Sequence, residues 1–291
     1  MDISLSELAE VKGIGKKTIQ RIREYKLADD GYTSEYDDSL HLDRNSVNQG
    51  DCLKLMNGIP NKSVDMILAD LPYGTTACGW DSIIDLDKLW LQYERVIKDN
   101  GAIVLTASQP FTTKLINSNL NLYRYEWIWI KSKASNFQNA RKMPMKKHEN
   151  VLVFYKSLPV YNQGLQKLEN PVISSRKNKG GNLGHCVESG NYYQKETGFN
   201  TTDIYINSVG NNESVEHATQ KPVALFEYLI KTYTNKGDLV LDNVAGSGTT
   251  GVACQNTDRN YILIEQEEKY IDIIKDRLRG GDTNAKNSNN R

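Results

Sequence analysis

The sequence is poor in the residues that would tie it to an oxidising compartment, a membrane or a metal. Cysteine occurs four times in 291 residues, at Cys52, Cys78, Cys186 and Cys254, with no CxxC pair and no Cys/His spacing of the zinc type. A disulfide framework is therefore excluded, reduced thiols are expected, and no metal site is expected. No run of eighteen apolar residues occurs, so no helical membrane span is expected. The first residues lack a basic-then-apolar leader, and the expected location is cytoplasmic. There is also no net charge: 36 Lys and Arg stand against 36 Asp and Glu. A uniform field that would draw nucleic acid to the whole surface is thereby excluded.

What is present is local charge. Lys131, Lys133, Arg141, Lys142, Lys146 and Lys147 fall within seventeen residues that contain no acid. Lys12, Lys16, Lys17, Arg21, Arg23 and Lys26 form a second basic cluster, and Arg176, Lys177 and Lys179 a third. Acids concentrate instead at Asp29, Asp30, Glu35, Asp37, Asp38 and Asp43. Local basic faces can bind phosphate although the total charge is zero, and solvated surface is the plain alternative for any one of them.

The organisation is that of an α/β chain. Strand-like runs at 64–70, 101–106, 124–130, 150–155, 238–242 and 260–265 alternate with helix-like stretches at 86–98, 110–119, 222–234, 249–256 and 267–279. Such alternation predicts a largely parallel sheet covered by helices. Tyr125, Trp127 and Trp129 recur with the period of a strand face and are read as core. Residues 1–26 form a unit of two short helices around Gly13-Ile14-Gly15, and the acidic stretch 27–46 reads as a linker. Residues 156–216 lack clear periodicity and are rich in Asn, Gly, Lys and Tyr, which marks an inserted recognition region. The polar tail 280–291 is expected to be disordered.

Two stretches carry chemistry. In "DLPYGTTACGW" (70–80) an apolar strand ends in Asp70, Leu71, Pro72 and Tyr73: an acid and a ring on a stiffened loop. In "DLVLDNVAGSGTTGVACQNTDRNYILIE" (238–265) a strand ends at Asp242, a turn with Gly246 and Gly248 follows, and a helix starts near Thr249. The next strand ends in Glu265, 23 residues after Asp242. This is the pattern of a nucleoside-binding β-α-β unit, in which glycines admit a ligand to the backbone and the acid accepts ribose hydroxyls. The helix start at Thr249 and Thr250 suits a carboxylate, with simple capping as the alternative.

Together these stretches resemble the DNA amino-methyltransferases that use S-adenosylmethionine. Asp70-Leu71-Pro72-Tyr73 is similar to that family's (D/N/S)PP(Y/F) motif, with Leu71 in place of proline. Val244-Ala245-Gly246-Ser247-Gly248 is similar to its FxGxG loop, with Val244 in place of phenylalanine. The segments 48–68, 148–156 ("HENVLVFYK") and 217–230 ("HATQKPVALFEYLI") extend the resemblance over about residues 47–278, in the β-group order of motifs. Val11, Gly13, Ile14 and Gly15 further resemble the helix-hairpin-helix motif, which contacts DNA phosphates through backbone N–H groups, with Lys16 and Lys17 beside it.

The resemblance implies a Rossmann-like methyltransferase domain over 47–279 with the insert as target-recognition region. It implies methyl transfer to the N6 of an adenine extruded from double-stranded DNA. Asp70 and the Leu71 carbonyl would accept the amino hydrogens, Pro72 would stiffen the loop and Tyr73 would stack on the base. Asp51 would lie near the cofactor's adenine, with a helix N-cap as the alternative, and Lys221 would pair with the cofactor's carboxylate. DNA contacts are expected from Gly13, Gly15, Lys16, Lys17, Arg141, Lys142, Arg176, Lys177 and Lys179. A homodimer and a paired restriction endonuclease are further partners that the resemblance allows. Cytosine N4 is the alternative target; an RNA or protein methyltransferase and a non-catalytic DNA-binding protein are more distant alternatives.

Overall fold

The computed structural model describes Thr18 and residues 32–74, 82–163, 166–175, 192–198, 201–208 and 220–280. Apart from Thr18 the hairpin expected over 1–26 lies outside these residues, with Gly13, Gly15, Lys16 and Lys17, as do Arg176, Lys177, Lys179 and the tail from 281.

In chain order the strands are β1 (Ser46–Gln49), β2 (Val64–Ala69), β3 (Ile97–Ala107), β4 (Tyr123–Ser135), β5 (Lys146–Phe154), β6 (Gln166–Ser175), β7 (Tyr192–Gly198), β8 (Asp203–Tyr205), β9 (Leu239–Asp242) and β10 (Asn260–Glu265). The helices are α1 (Cys52–Leu55), α2 (Leu86–Val96), α3 (Phe111–Ser118), α4 (Val223–Tyr233), α5 (Thr249–Asn256) and α6 (Glu268–Gly280). Eight strands form one sheet in the order β1-β10-β9-β2-β3-β5-β4-β8, and β6 pairs with β7 as a separate antiparallel ribbon. The strands from β1 to β3 run parallel, but β5 is antiparallel to both β3 and β4, so the sheet is mixed. The β4–β5 connection is a hairpin, which forces the reversal.

The central strands are apolar on both faces because helices cover both. Ile67, Ile103, Leu105, Leu152, Phe154, Leu241 and Ile264 pack with Trp90, Tyr93, Phe111 and Leu115 from α2 and α3. Their alternating neighbours Met66, Leu68, Val104, Val153, Val240 and Leu263 pack with Leu225, Phe226, Leu229, Ala253 and Ile274 from α4, α5 and α6. Trp127 and Trp129 are buried in the second layer, with Tyr125 half-buried beside them. Each such aromatic removes enough surface from water to stabilise the fold by about 2–3 kcal/mol. The acidic stretch read as a linker is held at its end: Asp37 N donates to Asn57 O at 2.8 Å and Leu42 is buried in the core. Within the recognition region, β8 pairs in parallel with β4 and so joins the main sheet.

Two halves of the sheet meet at the middle. The β2–β3 half extends one way and the β9–β10–β1 half the other, and they join where Met66 pairs with Val240 and Ile67 with Leu241. Strand order reverses there, and in open α/β sheets ligands bind outside the carboxyl ends of the strands at such a point. Asp70 and the turn after Asp242 leave the sheet side by side at that edge.

Candidate active site

The loop after β2 is anchored by the residue that departs from the expected pattern. The Leu71 side chain is 2% exposed and packs into the core, which pins the loop between Asp70 and Pro72. The Asp70 carboxylate is held from both oxygens. Tyr73 donates its hydroxyl to Asp70 Oδ1 at 2.8 Å, and the Thr106 hydroxyl, from β3, donates to the same oxygen. Lys221 Nζ donates to Oδ2 at 2.6 Å. The Tyr73 ring, expected to stack on a base, lies on Phe111 with centroids 5.4 Å apart and planes 24° from parallel. One face is therefore taken by the protein. Burial, reinforced by the charges of Asp70 and Glu149, pushes the Tyr73 hydroxyl well above its ordinary pKa, so it stays a donor.

Lys221 belongs to an alternating chain of charges. Lys131 Nζ lies 3.0 Å from Glu149 Oε1, Lys221 Nζ 3.5 Å from Glu149 Oε2, and Lys221 Nζ 2.6 Å from Asp70 Oδ2. The Glu149 Oε2 atom is buried and makes no hydrogen bond among the described residues. Burial works against the charge of Lys221, yet the Asp70 and Glu149 carboxylates outweigh it and raise its ammonium above the usual range. Two cations and two anions cancel, which is how buried charge is tolerated. Lys221 was expected against the cofactor's carboxylate; in the structure it faces Asp70.

The glycine loop after β9 is built to present backbone. Gly246 has φ +52° and Gly248 φ +80°, conformations that side-chain-bearing residues rarely adopt. A Cβ on Gly246 would meet nothing within 4 Å, so that side of the loop is open, whereas one on Gly248 would come 3.0 Å from Ile274. Glu265 Oε2 accepts from Gly246 N at 2.7 Å and Oε1 from Glu267 N at 2.9 Å, fixing the acid beside the open loop. Asp242 faces inward: its carboxylate accepts from Val244 N at 3.1 Å and from the Thr250 hydroxyl. Burial pushes its pKa up to about 7 against those two donors. It staples the turn to α5. The Thr249 hydroxyl donates to Lys221 O at 3.3 Å and the Ser247 hydroxyl to Gln220 Oε1 at 3.2 Å, which ties the glycine loop to the Lys221 segment. α4 starts at Val223, with Pro222 as N-cap. Gly248, the N-cap of α5, has no side chain to cap the first-turn N–H groups.

Asp51 caps α1, accepting from Lys54 N at 3.0 Å, and stands next to Glu265 because Gly50 N donates to Glu265 O at 3.0 Å. The N-cap reading of Asp51 is thus the one observed, at a place beside Glu265. Arg141 and Lys142 are exposed in the β4–β5 hairpin. Sequence reasoning missed four contributors: Thr106, Phe111, Glu149 and Arg277. Arg277 Nη1 donates to Ser247 O at 2.6 Å and Ser247 Oγ at 3.0 Å, bracing the loop from α6. Glu149 alone had a signal, its place in "HENVLVFYK".

An acidic acceptor at a strand end, beside a backbone-lined loop with its own acid, suits a nucleoside cofactor and a polar acceptor group. Comparison with known proteins agrees. The family model described as DNA methylase matches residues 64–276. The chain is 29% identical over 271 residues to the type II methyltransferase M.HinfI of Haemophilus influenzae, covering 81% of this chain and 68% of that protein. It is 29% identical over 259 residues to the DNA adenine methyltransferase YhdJ of Escherichia coli strain K12, covering 80% and 82%. Among solved structures, it is similar to an M1.HpyAVI–SAM complex with TM-score 0.55 and 25% identity, over 80% of this chain and 98% of that one. Similarity to the cytosine-N4-specific PvuII DNA methyltransferase, with TM-score 0.58 and 16% identity over 82% and 87%, reaches the fold alone. The chain belongs to the DNA methylase family.

Proposed function

We propose that this DNA methyltransferase transfers a methyl group from S-adenosylmethionine to the N6 of an adenine turned out of duplex DNA. The single observation that carries the reading is the adjacency of the Asp70 loop and the Gly246–Gly248 loop across the β2–β9 seam. The residues fit the cofactor: Glu265 suits the ribose hydroxyls, the open side of Gly246 admits the nucleoside, and the N–H groups starting α5 suit the carboxylate. Asp51, Val244, Ala245 and Ser247 complete that side of the pocket, with Thr249, Thr250 and Asp242 holding its shape. Bound there, S-adenosylmethionine supplies an electrophilic methyl group.

Adenine N6 is a poor nucleophile because its lone pair is delocalised into the ring. Asp70 and the Leu71 carbonyl draw on its two hydrogens and favour the pyramidal, nucleophilic geometry, while the carboxylate stabilises the positive charge that grows on nitrogen. Pro72 and the buried Leu71 fix both acceptors beforehand. Tyr73 offers its ring to the base and its hydroxyl to Asp70. Asp at the first motif position favours adenine, as does similarity to an adenine methyltransferase. Gly13, Gly15, Lys16, Lys17, Arg141, Lys142, Arg176, Lys177 and Lys179 are assigned to DNA phosphates. Similarity to type II methyltransferases favours a restriction–modification role.

The test is incubation with labelled S-adenosylmethionine and mixed-sequence duplex DNA, followed by digestion to nucleosides. N6-methyladenine is expected. N4-methylcytosine would move the target to cytosine, and label in RNA or protein but not in DNA would overturn the reading.

A further inference from the structure

The β4–β5 hairpin rises from the edge that carries Asp70. Its base is wired to the site: Ala107 of β3 pairs with Asn150, the Lys146 ammonium donates to Ser108 Oγ, and Lys131 starts the charge chain that ends on Asp70. Strand pairing continues from Ile130 opposite His148 to Ser135 opposite Lys146. That interval holds five residues of β4 against two of β5, so β4 bulges and the paired arms advance roughly 7 Å beyond Ile130. The tip is folded. Asn136 takes φ +70°, Phe137–Asn139 form a 3₁₀ turn, Lys142 N donates to Asn139 O at 2.8 Å and Asn139 Nδ2 to Asn136 Oδ1 at 2.7 Å.

This ordered turn presents Phe137 at 80% exposure, with Met143 at 52% and Met145 at 45%. Residues 131–147 hold six cations and no acid; Lys131 and Lys146 are engaged at the base, and Lys133, Arg141, Lys142 and Lys147 are exposed along the hairpin. A large apolar side chain held out by a hydrogen-bonded turn, among charges of one sign, needs an anionic partner with an apolar interior. Stacked bases between phosphate chains supply both, and apolar wedges of this kind enter base steps. We propose that the hairpin tip enters the duplex beside the target and that Phe137 fills the gap in the stack left by the extruded base. Phe137 is a positioning residue: it holds the DNA open while Asp70 and Tyr73 take the base. The inference deepens the DNA reading above and rests on it.

The full chain should be tested for unwinding of closed circular plasmid by relaxation with a topoisomerase at saturating protein, alongside methyl transfer to duplex DNA. The parent is expected to shift the topoisomer distribution. Phe137→Ala should abolish the shift at equal occupancy and lower transfer about 10-fold or more, with S-adenosylmethionine affinity and melting temperature unchanged. Phe137→Trp should restore both. Arg141→Ala should keep the unwinding per bound protein but lower the slope of log Kd against log salt by about 1. Unwinding by Phe137→Ala equal to the parent, or none by the parent, overturns the wedge. Capture of the tip by anionic vesicles with no change in plasmid topology would assign it to lipid instead. Failure of the parent to label DNA at all removes the DNA reading, and the wedge with it.

Discussion

Lys221 donates to Asp70 Oδ2 at 2.6 Å while Glu149 Oε2 waits 3.5 Å from the same ammonium. In the proposed reaction the cation occupies the acceptor that the amino group needs, and a positive charge there opposes the one that grows on the nitrogen. Glu149, with a buried oxygen lacking a hydrogen bond among the described residues, gives Lys221 a second place to go. Glu149→Gln should keep the shape, strand Lys221 on Asp70 and lower kcat about 10-fold with cofactor affinity held. Lys221→Met, which leaves Asp70 without a cation and Glu149 with Lys131 alone, should lower kcat about 100-fold. Calorimetric titration of S-adenosylmethionine decides the role: a loss of cofactor affinity at constant kcat would return Lys221 to the cofactor's carboxylate.

Tyr73 tests the acceptor from its other oxygen. Tyr73→Phe removes one donor to Asp70 but keeps the ring on Phe111, and should cost about 10-fold in kcat, the size of a single hydrogen bond. Tyr73→Ala should cost more. Asp70→Asn should cost about 10²–10³-fold with cofactor binding retained, as expected for loss of a preorganised electrostatic group. Single-turnover rates separate the three.

Glu265 holds Gly246 N and is assigned to ribose. Glu265→Ala removes charge-assisted bonds and should weaken S-adenosylmethionine binding about 10-fold or more, with kcat at saturation little changed. A fall in kcat at unchanged affinity would place Glu265 elsewhere.

Asp242 makes a prediction in pH. Its folded pKa of about 7 lies above the ordinary 3.8 of an aspartate, so the folded chain binds more protons between those values. Its contribution to stability is thus present below about pH 4 and is lost as pH rises through 7. Asp242→Asn lacks this dependence. The melting-free-energy difference should move in the variant's favour across that window, by at most ~4 kcal/mol. A constant difference from pH 4 to 8 would refute the assignment.

Much of the fold was legible because the central strands are apolar on both faces and end in turn residues. The polar edge strand β1, "SVNQ", offers no such contrast, and three-residue β8 is too short to show a period. The largely parallel sheet was legible but the reversal at β5 was not, since it depends on a hairpin whose outer part, Lys131–Lys147, is polar where it leaves the core. In the site, the two loops could be read because each is continuous. The charge chain could not: Lys131, Glu149, Lys221 and Asp70 come from four separate segments, and only packing shows which anion each cation meets. Leu71, the departure from pattern, turns out to be a core residue that serves the loop.

The seam between β2 and β9 joins segments more than 170 residues apart through only two register pairs, Met66–Val240 and Ile67–Leu241. Each half carries one half of the chemistry, and α4 packs across both, so what creates the site is lateral neighbourhood and not the order of synthesis. The gene could be cut within the 156–216 region and rejoined at the ends, reversing the order of the halves, and the same two loops would still face each other. Equally, two polypeptides divided there would have to rebuild the β2–β9 contact, the β1–β10 pairing and the shared core layers for activity to return, which makes methylation itself a reporter of that docking.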